Sequence, residues 1–391
     1  MKQTLPVIVL SQFFCTSLWF AGNAVISDIA KHLQFNSAYF AYLTSAVQAG
    51  FILGTLLFAL LGVADRFLST RVFFICAVIA AVINLGISLP GVNITTLLSL
   101  RFATGFFLAG IYPVGMKIAA EHDQQGLGKS LGFLVGALVL GTAFPHLLKS
   151  LTADLPWQYV VMFTSALSVA GGLAMVLLVP KGPYAKPAQK LIWTSVIKAF
   201  SQPRFKAAAL GYFGHMWELY AFWAFLPVVL TTWQQNHPFI ALNVPLLSFL
   251  IIAAGALSCV ASGYLSQSFG AGKTAAAALL LSCLSSIISP LILNSSSVIA
   301  LLIFLTFWSI VVIADSPMFS TLVAQNAPAE VKGSSLTLVN CIGFLITIIS
   351  IQLISALRTQ TNANYLYMLL AIGPFFGLVA MFNNRKSTVE V

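Results

Sequence analysis

Long apolar runs alternate with short polar breaks along the whole chain. Apolar windows fall near 5–27, 39–62, 72–90, 95–118, 130–149 and 158–179. After one long polar stretch they resume near 207–230, 245–267, 274–294, 297–322, 334–357 and 364–383. Most approach the roughly 20 residues that a helix needs to cross about 30 Å of hydrocarbon. The pattern predicts an all-α membrane protein with twelve transmembrane helices, numbered here as spans one to twelve. Residues 1–180 form the predicted N-terminal six-helix bundle, 181–206 a basic connector, and 207–391 the C-terminal bundle. The N-terminal run is too long for a signal peptide and lacks a small-residue cleavage pattern before Asp28, so it reads as an uncleaved first span.

Composition sharpens this picture. The 391 residues are 59% hydrophobic and only 7% charged, whereas a soluble domain carries roughly 25% charged residues. The net charge of +10 does not indicate a nucleic-acid partner, because the basic residues sit between apolar runs and not on one soluble face. They do set orientation. With both termini inside, the inner loops hold 15 Lys and Arg, including Lys181, Lys186, Lys190, Lys198, Arg204 and Lys206 of the connector. The outer loops hold 3, namely Lys31, Lys149 and Arg358. This is the positive-inside bias of a chain whose termini are both cytoplasmic. The connector is expected to lie near anionic lipid.

Chemistry beyond the membrane is sparse. Cys15, Cys76, Cys259, Cys283 and Cys341 lie inside apolar runs without zinc or redox spacing, so neither a metal nor a disulfide framework is expected. No Gly-x-x-x-x-Gly-Lys-Ser/Thr loop occurs in the chain, which excludes ATP binding through that loop. No cofactor is expected.

The halves echo each other. Asp65-Arg66 and Arg71 follow span two, and Gly263, Gln267, Gly270 and Lys273 follow span eight, with Asp65 and Gln267 standing 202 residues apart. Pro113 in span four and Pro317 in span ten are 204 residues apart. The first of these loops resembles the Gly-x-x-x-Asp-Arg/Lys-x-Gly loop of the major facilitator superfamily, with Leu61 and Leu68 where glycines are usual. The second copy keeps Gly263 and Gly270 but has Gln267 and Ser268 in place of the acid and base. Arg101 and Gly105 resemble the family's span-four Arg-x-x-x-Gly pattern. Gly132, Gly141 and Pro145 resemble its antiporter motif, although His146 follows and the closing glycine pair is absent, which leaves transport direction open. Gly214 to Tyr220 and Ala314 to Pro317 look like a bacterial subgroup.

The resemblance covers essentially the whole chain. It implies two six-helix bundles with pseudo-two-fold symmetry, related as a parallel repeat, which expose a central cavity to alternate sides. It also implies a multi-pass protein of the inner membrane, expected to act as a monomer on a small polar or amphipathic solute, with protons as second partner. A uniport facilitator, and a membrane receptor that keeps the fold, are the rival readings.

Ionisable residues inside spans are the candidate chemistry, since a charge at the bilayer centre costs roughly 2.5–3.5 kcal/mol and usually faces a partner or a wet cavity. Glu218 lies near the middle of span seven with His215 one turn earlier on the same face. Low-dielectric surroundings disfavour the charged form of a carboxyl, so Glu218 is the candidate proton carrier; the structural alternative is a neutral Glu–His pair binding helices together. Asp315, two residues before Pro317, is either a second protonation site or the cap of a broken helix turn. Arg101 stays charged, and either serves the cavity or snorkels. His146 reads as a packed or capping residue. Asn23, Trp217, Tyr220 and Trp223 are candidate cavity residues, whereas Trp19 and Phe20 read as packing. Asp65, Arg66, Arg71 and Gln267 are candidate gating residues, with Asp65 expected to dock on the N-terminus of span eleven near Gly333-Ser334-Ser335, where free N–H groups favour a carboxylate.

The charge bias yields a direct test. Reporter domains fused after residues 190 and 386 should both read cytoplasmic; an external signal at either position breaks the twelve-span assignment.

Overall fold

The computed structural model describes residues 4–34, 39–123, 127–184, 198–328, 332–358 and 363–386. No strand occurs among the described residues. Eleven helices there are long and apolar enough to cross a membrane, and a shorter apolar helix, Thr4–Thr16, begins span one. Spans two and three are Tyr39–Leu61 and Ser69–Leu85, and spans five and six are Leu127–Leu151 and Gln158–Leu178. Span seven is one helix of 34 residues, Pro203–Asn236. Spans eight, nine and eleven are Val244–Phe269, Ala271–Leu293 and Lys332–Leu357. Span twelve passes from Ala363–Leu366 through a 3₁₀ stretch, Tyr367–Ala371, into Ile372–Lys386.

Three spans that hydropathy reads as single runs are broken helices. Span one stops at Thr16, turns through residues 17–20, and resumes as Ala21–Ala24 and Ile26–Leu33. Span four is Ile94–Leu108 followed by Tyr112–His122, and span ten is Val298–Ala314 followed by Ser316–Asn326. Pro113 and Pro317 occupy the same early position of the second half-helix in each. There the missing N–H is harmless to the new helix but deprives the carbonyl four residues earlier of its donor. In span ten that carbonyl belongs to Ile313, and the Cys259 thiol of span eight donates to it at 3.8 Å. Pro290 similarly frees the Ser286 carbonyl inside span nine, where the Ser289 hydroxyl donates to it at 2.8 Å. A backbone group left bare in hydrocarbon costs several kcal/mol, so such replacements allow prolines within spans.

Two compact units emerge, Met1–Ala188 with Asn243–Ala253, and Gln189–Leu242 with Ala254–Val391. In the first, span one packs on spans five and six, and span three on spans four and six. The same pattern recurs in the second, where span seven packs on eleven and twelve, and span nine on ten and twelve. Spans two and four approach backbone to backbone through Gly50, Gly54 and Gly105. A Cβ on Gly105 would collide with the Val47 carbonyl, and one on Gly50 with that of Phe102. Such contacts drive helix association in lipid, where burial of apolar surface gives little.

Gly105→Ala should therefore destabilise the protein by roughly 1–3 kcal/mol, the usual range for overpacking. Gly333→Ala should not, because a Cβ there meets nothing within 4 Å. Thermal unfolding in detergent measures both; equal midpoints would mean that the span two–span four contact is loose.

Candidate functional site

The candidate chemistry divides between the two units. In the first, Arg101 is completely buried. Its Nη1 donates to the Leu18 carbonyl at 3.1 Å, and its Nη2 donates to that of Trp19. These carbonyls lie in the turn where span one breaks, so the guanidinium replaces the helical N–H groups that the break removes. Gly22 provides room, since a Cβ there would stand 3.3 Å from Arg101 Nε. The structure thus places the buried Arg101 guanidinium on backbone carbonyls of the turn. Asn23, on the short helix beyond the turn, donates to Thr44 Oγ1 of span two at 2.7 Å. His146 is buried, with Nε2 unpartnered among the described residues.

The second unit gathers the three proton-coupling candidates. Glu218 and Asp315 are both completely buried, and His215 nearly so. Residues 215 and 218 share a face of span seven because three residues make almost one turn. Their partners differ, however. His215 Nδ1 lies 2.7 Å from Asp315 Oδ1, at the break in span ten. Glu218 Oε1 accepts from Trp308 Nε1 at 2.6 Å and from Ser286 Oγ at 2.8 Å. Glu218 Oε2 has no hydrogen-bond partner among the described residues. Asp315 lies within electrostatic reach of Glu218. Spans seven, nine and ten are thereby joined by one polar cluster of two carboxyls and one imidazole.

The aromatic candidates of span seven separate from this cluster. Trp217 Nε1 donates to the Leu369 carbonyl in span twelve at 2.9 Å, which places it against that span. Tyr220 packs against Trp223 and against Phe344 of span eleven, at ring separations of 5.3 and 5.2 Å. Sequence reasoning overlooked Trp308 and Ser286. A tryptophan in the middle of the strongly apolar half-span Val298–Ala314 was one available signal. The other was the run Ser282, Ser285, Ser286 and Ser289, which makes a polar stripe at helical spacing on span nine.

Among the gating candidates, Arg66, Arg71 and Gln267 are exposed, and the Asp65 side chain lies outside the described residues. The loop between spans two and three is held by span four. Lys117 Nζ donates to the Ala64 carbonyl, and Ser69 Oγ donates to Glu121 Oε1 at 3.1 Å.

The helices and their buried polar contacts define a multi-pass α-helical membrane protein. The sequence pattern of the Major Facilitator Superfamily matches residues 8–351, and the chain belongs to that family. It is accordingly a membrane transporter for small-molecule solutes and not an enzyme, with twelve transmembrane helices in two six-helix bundles. No curated protein matches it in sequence. Among solved structures, the human organic anion transporter MFSD10 (TETRAN) is similar with a TM-score of 0.74 at 14% identity, over 97% of this chain and 99% of that one. A bacterial homolog of the human lysosomal transporter Spinster, in an inward-facing and unoccupied conformation, has a TM-score of 0.70 at 14% identity, over 98% and 93%. At this identity the likeness concerns the fold.

Removing the guanidinium should expose the weakness at the break in span one. Arg101→Leu strands two buried carbonyls and should destabilise the protein by about 3 kcal/mol, read as a lower thermal midpoint in detergent. An unchanged midpoint would show that the break holds without its side-chain donor.

Proposed function

We propose that the protein is a proton-coupled secondary transporter of the bacterial inner membrane, moving a small polar or amphipathic solute by alternating access. In this reading Glu218 carries the proton, His215 and Asp315 assist it, and both termini and the connector face the cytoplasm. Asn23, Arg101, Trp217, Tyr220 and Trp223 serve the solute path. Asp65, Arg66, Arg71 and Gln267 serve the inner gates, and the working unit is a monomer.

The observation that carries the proposal is Glu218, buried in mid-span with one oxygen doubly hydrogen-bonded and the other bare. A carboxylate with a bare oxygen, away from water and beside a second carboxyl, has an open position for a proton and a reason to bind one. When Oε2 is protonated, Oε1 keeps both donors but loses charge, and both hydrogen bonds weaken. Those two bonds join span seven to spans nine and ten, so proton binding loosens the contacts between spans of one bundle. That is the kind of change an alternating-access cycle needs, because an equilibrium shifts only through interactions that differ between its two states.

Uptake into proteoliposomes of a panel of labelled amino acids, sugars and organic anions, with and without an imposed pH gradient, tests the reading. Glu218→Gln mimics the protonated carboxyl and should abolish gradient-driven accumulation while retaining binding and exchange. His215→Ala should weaken transport less and shift its pH profile. If Asp315→Asn alone removes proton dependence, span ten and not span seven carries the coupling. Full accumulation by Glu218→Gln would leave Glu218 a structural contact.

A further inference from the structure

Three features of the second unit converge on the Glu218 carboxylate. The first is the orientation of Ser286. Its neighbours on the polar stripe of span nine donate to their own helix: Ser282 to Leu279, Ser285 to Leu281, and Ser289 to Ser286, all backbone carbonyls at 2.8–3.1 Å. Back-bonding of this kind is the usual fate of a serine in a span. Ser286 instead donates across to Glu218. Its own carbonyl, deprived of a helical donor by Pro290, is satisfied by Ser289.

The second feature is Trp308. Its ring is fixed between Phe222 of span seven and Phe304 of its own helix, with centroids 4.8 and 5.6 Å away. The indole N–H is thereby aimed at Oε1 without freedom to follow the carboxyl elsewhere. The third is asymmetry. Both donors meet the same oxygen, and Oε2 has no hydrogen-bond partner among the described residues, with the Ser282 hydroxyl in reach of the carboxyl.

We propose that Trp308 and Ser286 are positioning residues for the proton step: by both donating to Oε1 they reserve Oε2 as the atom that takes the proton. The inference rests on Glu218 being the proton carrier. A carboxyl that rotated freely would present either oxygen and would lose its link to spans nine and ten whenever it turned. Held as it is, the group binds and releases the proton at one place, and its charge is always reported to the same two helices. Loss of either donor removes an interaction that favours the charged form, so the proton is held to higher pH.

The other titratable groups around it are few. Asp315 of span ten, paired with His215, faces Glu218. The Cys283 thiol of span nine is also within its field and donates to the Ala371 carbonyl at 3.7 Å. Cys341 on span eleven and Tyr367 on span twelve are the buried titratable residues of those two elements among the described side chains. None of these is a permanent cation, so neutral donors, Trp308 and Ser286 with Ser282 in reach, are the main local support of the carboxylate.

Infrared difference spectroscopy of the full-length protein in lipid tests this without a transported solute. The protonated carboxyl C=O stretch is followed across a pH titration, and the Glu218 band is assigned by its absence in Glu218→Gln. Asp315→Asn identifies the other carboxyl. Trp308→Phe and Ser286→Ala should each move the Glu218 midpoint upward by roughly one pH unit, as expected for loss of one hydrogen bond to a charged group. Ser286→Thr, which keeps the hydroxyl, should restore the wild-type midpoint and thereby exclude a packing defect. A Glu218 band that titrates identically in wild type, Trp308→Phe and Ser286→Ala would overturn the positioning role and leave the proton carrier intact. If Glu218→Gln removes no titrating band, the proton-carrier reading itself fails.

Discussion

A polar group within a membrane span must be satisfied by the protein, because hydrocarbon offers it nothing. Much of the polar organisation of this molecule follows from that constraint. A helix broken in mid-span exposes carbonyls, and each exposed carbonyl calls for a donor from a neighbouring element. Arg101 meets the demand at the break in span one, the Cys259 thiol at the break in span ten, and the Ser289 hydroxyl beside Pro290. The strongest donor stands where two carbonyls open together. The thiol and the hydroxyl serve one carbonyl each.

The two repeats solve the problem differently, and the difference is informative. At the offset of 204 that relates Pro113 to Pro317, Arg101 corresponds to Leu305. Span one, served by Arg101, is broken, whereas span seven is continuous from Pro203 to Asn236. Arginine and break therefore occur together in one repeat and are both missing from the other, as expected if each depends on the other. The interior of the second unit is free to carry acid instead of base. Glu218 and Asp315 are there, with His215 as their only nearby ionisable base among the described residues.

Much of the fold is legible in the sequence because hydropathy reports burial in lipid directly. The twelve windows each find a helix, and the Pro113–Pro317 echo marks matched breaks. The break in span one is invisible to the same measure, since residues 17–20 are Ser-Leu-Trp-Phe and contain no proline or glycine. Its cause lies in a tertiary partner, Arg101, more than eighty positions away. The site is legible to a similar extent. Glu218, His215 and Asp315 stand out because they are ionisable and mid-span, yet spacing on span seven suggests that the first two are partners. The structure gives each its partners from other spans, through contacts separated by 68 and 90 residues for Glu218. Helical periodicity says which residues share a face and nothing about what that face meets.

The acidic cluster has a simple charge arithmetic. Counting both carboxyls as ionised, the cluster carries an excess of negative charge; with one proton added, that excess falls. In a medium of low dielectric the second state is favoured by desolvation, and the first survives only through specific donors. Asp315 has His215 for that purpose. Glu218 has Trp308 and Ser286, whose neutral dipoles stabilise a charge less than a cation would. In the proposed reading the added proton goes to Glu218. Its partner Trp308 lies on the half-helix of span ten before the break, while Asp315 lies at the break itself. A change of charge at Glu218 thus acts on one side of a joint that His215 grips at its pivot. In that reading the proton-binding group and the break in span ten are parts of one contact network.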